Sequence, residues 1–148
     1  MAGIGKELQS TFQSEQQKAM LNVLFTANWF RTIQTSFFKP FGISMQQYNI
    51  LRILRGSKDP MKMQSVKGRM IDRAPNATRL TDKLITKGLV IRERGNTDKR
   101  EILVRISPKG MDLLARIDTA DHGSALFPVK LNDADAGTLN RILDGWRG

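Results

Sequence analysis

Apolar side chains recur every three to four residues through Met20, Leu21, Leu24, Phe25, Trp29, Ile33 and Phe37, the spacing of one helical face. The pattern predicts a long helix over 17–38, ended by the phrase KPFG at 39–42. The next helix opens at Ser44-Met-Gln-Gln47, a capping box in which Ser44 and Gln47 satisfy orphan backbone amides reciprocally. Tyr48, Leu51 and Leu54 line its inner side, and Gly56 to Pro60 close it. A short helix is expected at about Met63–Met70. Pro75 then stands where a first-turn proline is tolerated, because the missing N–H has no partner there anyway. The helix it opens runs to Lys87, with Ala77, Leu80, Leu84 and Ile85 on one side. Asn76, Arg79, Asp82, Lys83 and Thr86 occupy the other, with Thr78 near the leading end. Gly88 supplies the left-handed residue that ends it.

Beyond Gly88 the period changes from helical to alternating. Val90 and Ile91, then Ile102, Val104 and Ile106 interleaved with Leu103 and Arg105, read as two antiparallel strands around a Gly-Asn tip. A tight hairpin needs only about two loop residues, yet Gly95 to Arg100 are all polar or charged, and Arg92, Arg94, Lys99 and Arg100 crowd the same stretch. Helix, short helix, turn, helix and hairpin in that order make a winged helix-turn-helix. The expected fold is therefore mainly α with a small β-hairpin wing. A single domain over 1–148 is expected, with a winged lobe at about 43–107 and flanking helices at about 5–40 and 108–148.

Composition changes this picture mainly through charge. The chain has 148 residues, 40% hydrophobic and 26% charged, ordinary proportions for one globular domain. Its formal net charge is +10, unevenly spread. Residues 1–51 carry 4 basic and 2 acidic side chains, residues 52–116 carry 17 and 7, and residues 117–148 carry 3 and 5. The excess sits in the predicted winged segment, and a solvated face tuned only for solubility does not account for that segregation. A basic middle points to phosphate backbones or an anionic surface. No apolar run approaches the ~20 residues that span a bilayer, and MAGIGKELQSTFQSEQQ has no signal-peptide pattern. With no cysteine and only His122, neither disulfides nor an ordinary zinc or iron site is expected. A cytoplasmic protein without cofactors and without membrane contact fits these features.

Double-stranded DNA gives each polar group of the middle segment a task. A helix fits the major groove, where amides and guanidinia read base edges, and the leading end of a recognition helix does most of that reading. Asn76, Thr78 and Arg79 are placed for it, and Lys83 and Lys87 for phosphates; Gln64, Ser65 and Arg73 join the candidate DNA-binding set from the preceding helix and turn. The wing extends toward the adjacent minor groove, where arginine is favoured, with Arg94, Asn96, Thr97, Lys99 and Arg100 as its candidates. Asp98 is expected to order the wing by holding neighbouring arginines or loop amides; an Asx-type turn is the plainer account, and the two are compatible. Without the charge and the hairpin, residues 75–87 would read as an ordinary amphipathic surface helix.

RLTDKLITKGLVIRERGNTDKREILVRISPKG, residues 79–110, resembles the recognition helix, wing and following helix start of the multiple antibiotic resistance regulator (MarR) family. Arg79, Leu80, Asp82 and Leu84 match its R-L-x-D-x-L helix; Lys87-Gly88-Leu89-Val90 its K-G-L-V; Asp98-Lys99-Arg100 its D-x-R wing; and Ser107-Pro108-Lys109-Gly110 its T/S-x-K-G helix opening. FGISMQQYNILRIL (41–54) and LNDADAGTLNRILDGW (131–146) resemble the family's second and last helices, so the likeness covers roughly residues 17–146. It implies a homodimeric, mostly helical transcription regulator whose chain ends pair across a two-fold axis, each winged lobe taking half of a palindrome. Leu8, Phe12, Leu126, Phe127, Leu139, Ile142, Leu143 and Trp146 put apolar surface at both ends, as such an interface requires; completing a monomer core is the other use for them. Two departures stand out. Ala74-Pro75 replaces the usual Ser or Thr cap, with Asp72 as an alternative, and the segment from Ser107 to Leu131, containing Gly123 and Pro128, is several residues short, so the fifth helix is expected to be abbreviated or broken.

The resemblance also implies a small aromatic or anionic effector in a cleft between dimerisation helices and DNA-binding lobe. Trp29, Phe30, Arg31 and Tyr48 are the candidates, although Trp29 and Tyr48 serve equally as core. Lack of cysteine argues against an oxidation sensor, and scarcity of histidine against a metal sensor. An enzyme is not expected: there is no Ser-His-Asp set, no phosphate-cradling glycine loop and no metal-ligand cluster, and Asp133 and Asp135 suit the first turn of a last helix. The rival reading is a winged-helix architectural or protein-interaction module without operator specificity.

Overall fold

The computed structural model describes residues 2–73, 76–121, 126 and 130–148. The expectations for Ala74, Pro75, His122, Gly123, Phe127 and Pro128 lie outside them. A short helix α1 (Ile4–Glu7) precedes the long α2 (Glu15–Phe38), which Ser14 caps by accepting from the Gln17 amide. One 3-10 turn (Lys39–Phe41) ends α2, and Gly42 reverses the chain with φ +70°. Next, α3 (Met45–Gly56) opens on the expected capping box, Gln47 N–H donating to Ser44 Oγ at 3.1 Å and Ser44 N–H to Gln47 Oε1 at 3.0 Å.

A two-residue strand β1 (Met61–Lys62) follows, then α4 (Met63–Arg69), α5 (Ala77–Thr86), β2 (Val90–Arg94), β3 (Ile102–Ile106), α6 (Pro108–Asp121) and α7 (Asp133–Arg147). The sheet order is β1-β3-β2, all antiparallel, with Val90 opposite Ile106, Arg92 opposite Val104, and Met61 also opposite Val104. The wing therefore has three strands where the sequence pattern predicts two. A strand of two residues is too short to display alternation, so β1 has no signature.

The core centres on α3. Ile50, Leu51 and Leu54 pack with Val66 of α4, Leu84 of α5, Val90 and Val104 of the sheet and Leu113, Leu114 and Ile117 of α6. Full burial of such side chains stabilises by about 1.5–3 kcal/mol each, so every element of the winged lobe is held through one cluster. The expected inner face of α5 is incomplete without Thr81, which is 1% exposed and turns its hydroxyl onto Ala77 O. Returning that bond to its own helix is what lets a polar residue face the core.

The junction from α5 through the sheet to α6 explains the K-G-L-V and S-P-K-G phrases physically. Gly88 takes φ +72°, and Leu89 N–H bonds Leu84 O. Ser107 Oγ donates to Gly88 O at 2.6 Å while accepting from Gly110 N–H at 3.0 Å. A Cβ on Gly110 would lie 2.3 Å from Leu89 O and 2.7 Å from Ile106 Cγ1, so only glycine lets α6 sit this close to the strand entrance.

Of α2 only Phe38 is buried, and Met20, Val23, Leu24 and Phe30 are exposed, so the expected apolar stripe is left largely uncovered by the lobe. One expectation is corrected. Leu126 is 3% exposed and belongs to the core cluster, not to a free terminal surface. Helix α6 spans 14 residues to Asp121, and the Gly123 and Pro128 on which its expected shortening or break rests lie outside the described residues.

Candidate nucleic-acid interface

Helix α5 is anchored by Leu84 and Thr81 and turns the opposite side outward. Thr78, Arg79 and Lys83 are all exposed there. Asn76 is the N-cap residue, not part of the first turn, and makes no side-chain capping bond. Ahead of it Gln64 and Ser65 on α4, and Arg73 in the turn, are likewise exposed. Lys87, expected at phosphates, is exposed, and its ammonium donates to Gly42 O in the turn after α2.

The wing tip is built by short backbone bonds. Gly95 N–H donates to Glu101 O and Glu101 N–H to Asp98 O, each at 3.0 Å. Asp98 Oδ1 accepts from Arg100 N–H at 2.9 Å, an Asx-type arrangement that limits the loop's freedom. A Cβ on Gly95 would lie 2.7 Å from Asp98 O, so the compact tip requires glycine at its base. Asn96, Thr97, Lys99 and Arg100 project from it, exposed, as does Arg94 at the end of β2.

Charge pairing then sorts the cations into two groups. Asp82 of α5 pairs with Arg92 of β2, Glu93 with Arg105 across the hairpin at 3.0 Å, and Glu101 with Lys62 of β1. The hydrogen bond and the charge of Glu101 hold the Lys62 ammonium above its ordinary pKa. These pairs brace helix against strand, strand against strand and wing against β1. Among the described residues no carboxylate lies within salt-bridge distance of Arg73, Arg79, Lys83, Arg94, Lys99 or Arg100. Three of the lobe's acidic side chains, Asp82, Glu93 and Glu101, thus neutralise bracing cations, while the projecting cations have no ion-pair partner among the described residues, a field suited to a phosphate backbone. Local sequence carries no signal for the Lys62–Glu101 pair, since its members stand 39 positions apart.

The four candidate cleft residues do not converge. Tyr48 lines a cavity of about 400 Å³ between α2 and α3, with Gln34, Phe38, Asn49 and Arg52 around it. Arg52 lies with its guanidinium 5.9 Å from the Tyr48 ring centroid. Arg31 lines a neighbouring cavity of about 210 Å³ that shares Met45 and Ile71 with the first. Trp29 and Phe30 line neither and pack on each other, centroids 5.0 Å apart.

At the chain ends Leu139, Ile142 and Trp146 of α7 are 44–52% exposed, and none of α7 is buried. With Leu143 and Trp146, the α2 residues Met20, Val23 and Leu24 form an open apolar groove. Leu8 is exposed and Phe12 half-buried. No helix among the described residues is long and apolar enough to cross a membrane.

Comparison with known proteins places this arrangement. Residues 43–102 match the MarR family. A candidate transcriptional regulatory protein for the hcr operon of Thauera aromatica is 28% identical over 114 residues, 76% of this chain and 66% of that protein, so the chain spans just under two thirds of the relative's length. A MarR transcription factor from Planctomyces limnophilus superposes with a TM-score of 0.60 at 27% identity, over 90% of this chain and 98% of that one. A mutant MarR from E. coli complexed with operator DNA superposes with a TM-score of 0.76 at 19% identity, over 92% and 98%; that likeness is one of fold.

Proposed function

We propose that the chain, whose residues 43–102 match the MarR family, is a DNA-binding transcriptional regulator of that family and works as a ligand-responsive, homodimeric repressor on a palindromic operator. The observation that carries this is the sorting of cations: Arg79, Lys83, Arg94, Lys99 and Arg100 project from one recognition helix and one wing with no ion-pair partner among the described residues, while Asp82, Glu93 and Glu101 are bound internally. Thr78 and Arg79, with Asn76 at the cap, read base edges in the major groove, where an arginine is matched to guanine O6 and N7. Lys83 and Arg94 hold phosphates. The tip residues Asn96, Thr97, Lys99 and Arg100 follow the backbone to the flanking minor groove, kept in shape by Asp98, and Gln64, Ser65 and Arg73 complete the footprint from α4 and the turn.

Dimerisation is assigned to residues at about 5–40 and 108–148. The apolar groove of Met20, Val23, Leu24, Leu143 and Trp146 is the surface that a second copy would cover, since patches of this kind are otherwise unfavourable in water. A two-fold dimer must then hold its recognition helices about 34 Å apart to meet successive major grooves. The effector is a small aromatic or anionic molecule, and the cavity beside Tyr48 and Arg52 offers a ring and a cation to such a ligand.

Selection of bound duplexes from a random pool tests the reading. A recovered palindrome held about a thousandfold or more tighter than random duplex supports a specific regulator. A flat preference means an architectural binder, and no binding even in dilute salt removes DNA from the function.

A further inference from the structure

The base of the wing is tied to the lobe by a side-chain pair that reaches beyond the backbone ladder. The β2–β3 pairing ends at Arg94 opposite Ile102, and β1 reaches only as far as Lys62 opposite Leu103. Glu101, just before β3, lies nearer the tip than either pairing. Its N–H donates to Asp98 O and its carbonyl accepts from Gly95 N–H, so its backbone closes the tip loop. Its side chain turns back toward the lobe, where Oε1 meets Lys62 Nζ at 2.5 Å. Glycine at 95 leaves room for that path, because a Cβ there would lie 3.2 Å from Glu101 Cβ and 3.3 Å from its Oε2. Lys62, opposite Leu103, is thus the diagonal neighbour of Glu101, a separation that long side chains span.

Lys62 is also the N-cap residue of α4, and Gln64 and Ser65, both exposed, follow in the first turn of that helix. The pair therefore joins the loop that carries Asn96, Thr97, Lys99 and Arg100 to the start of α4. Both partners keep contact with solvent, where an ion pair contributes little to folding. Its consequence lies in geometry: beyond Leu103 the wing is a ribbon of two strands, which holds its shape poorly by itself. We propose that Glu101 is a positioning residue for DNA binding: through Lys62 it sets the lean of the wing relative to α4, so that tip and helix start meet the duplex at a fixed spacing. The proposal rests on the DNA-binding reading above. Because the wing is assigned to phosphates, a change in its lean alters affinity for every sequence alike and leaves the preference among sequences in place.

The test separates the pair from the charges it contains, using variants of the whole chain with unchanged net charge. Lys62→Met with Glu101→Gln removes both charges and the pair; Lys62→Glu with Glu101→Lys keeps both charges and reverses the pair. Affinity is read at matched salt for the duplex selected by the wild type and for a random duplex, with the denaturant midpoint alongside. The neutral double variant should lose about threefold in affinity per wing, about tenfold for a dimer with both wings bound, equally on the two duplexes and at an unchanged midpoint. The reversed pair should restore most of that affinity. Wild-type affinity in the neutral variant overturns the proposal, as does a reversed pair that binds no better than the neutral one. A loss confined to the selected duplex, or a midpoint that falls with the affinity, overturns it too. A wild type that binds no duplex refutes the DNA-binding reading itself. Amide exchange at Gly95, whose N–H is held by Glu101 O, then decides by itself whether the pair fixes the wing: about threefold faster in the neutral variant and restored in the reversed one if it does, unchanged in both if it does not.

Discussion

Lys99 offers the sharpest quantitative test of how the wing meets DNA. It is exposed at the tip, and among the described residues it has no carboxylate within salt-bridge distance. Lys99→Ala therefore removes no interaction that supports the fold, and stability should change by no more than about 0.5 kcal/mol. If Lys99 neutralises one phosphate, losing it lowers the slope of log affinity against log salt by about 0.9 per protomer, or about 1.8 for a dimer with both wings bound. The wild-type advantage should then shrink about tenfold between roughly 50 and 200 mM salt, a fourfold change raised to that power. Fluorescence anisotropy on a labelled duplex across that range reads both lines. Lys62→Ala provides the contrast: Lys62 is paired with Glu101, so its removal frees a carboxylate at the wing base instead of simply removing a phosphate contact. Parallel salt lines for Lys99→Ala and the wild type would refute the wing-to-backbone assignment, however well the wing's shape suits it.

Arg79→Ala should change which bases are preferred near the recognition helix, seen by repeating the duplex selection; equal weakening on every sequence would make Arg79 a phosphate contact. Gly110→Ala forces a methyl to within 2.3 Å of Leu89 O, a backbone atom that cannot step aside, and should cost about 2 kcal/mol of stability. Its denaturant midpoint would fall at unchanged slope; an unmoved midpoint would mean that the α6–strand approach relaxes freely. Sedimentation should show a dimer at about micromolar concentration, and Trp146→Glu, which places a charge in the α2–α7 groove, should shift it to monomer with the lobe still folded. A Trp146→Glu dimer of unchanged stability would place the interface elsewhere.

Much of the lobe is written in local pattern. The capping box at Ser44 and Gln47, the left-handed Gly88 and the alternation in Ile102, Val104 and Ile106 each depend on residues a few positions apart, so the sequence displays them directly. The DNA-facing candidates are legible for the same reason: polar residues opposite an apolar helical stripe, and a charged loop too long for a simple turn. Less is visible where distant segments meet. Strand β1 exists because Met61 and Lys62 find Val104 and Leu103, Lys87 reaches Gly42 O across 45 positions, and Tyr48 shares a cavity with Gln34 of α2 that Trp29 and Phe30 do not line.

By itself the sequence determined the order of the elements, the chemistry each presents and the excess of positive charge in the middle. Those are properties of short stretches and sums, which do not depend on how the chain closes. Only tertiary structure decided which cations are neutralised and which remain available, because Asp82, Glu93 and Glu101 acquire their partners across 10, 12 and 39 positions of chain. It also decided that the apolar stripe on α2 stays uncovered by its own lobe. Periodicity tells which side of a helix is greasy; only the packed neighbours, or their absence, tell what covers it.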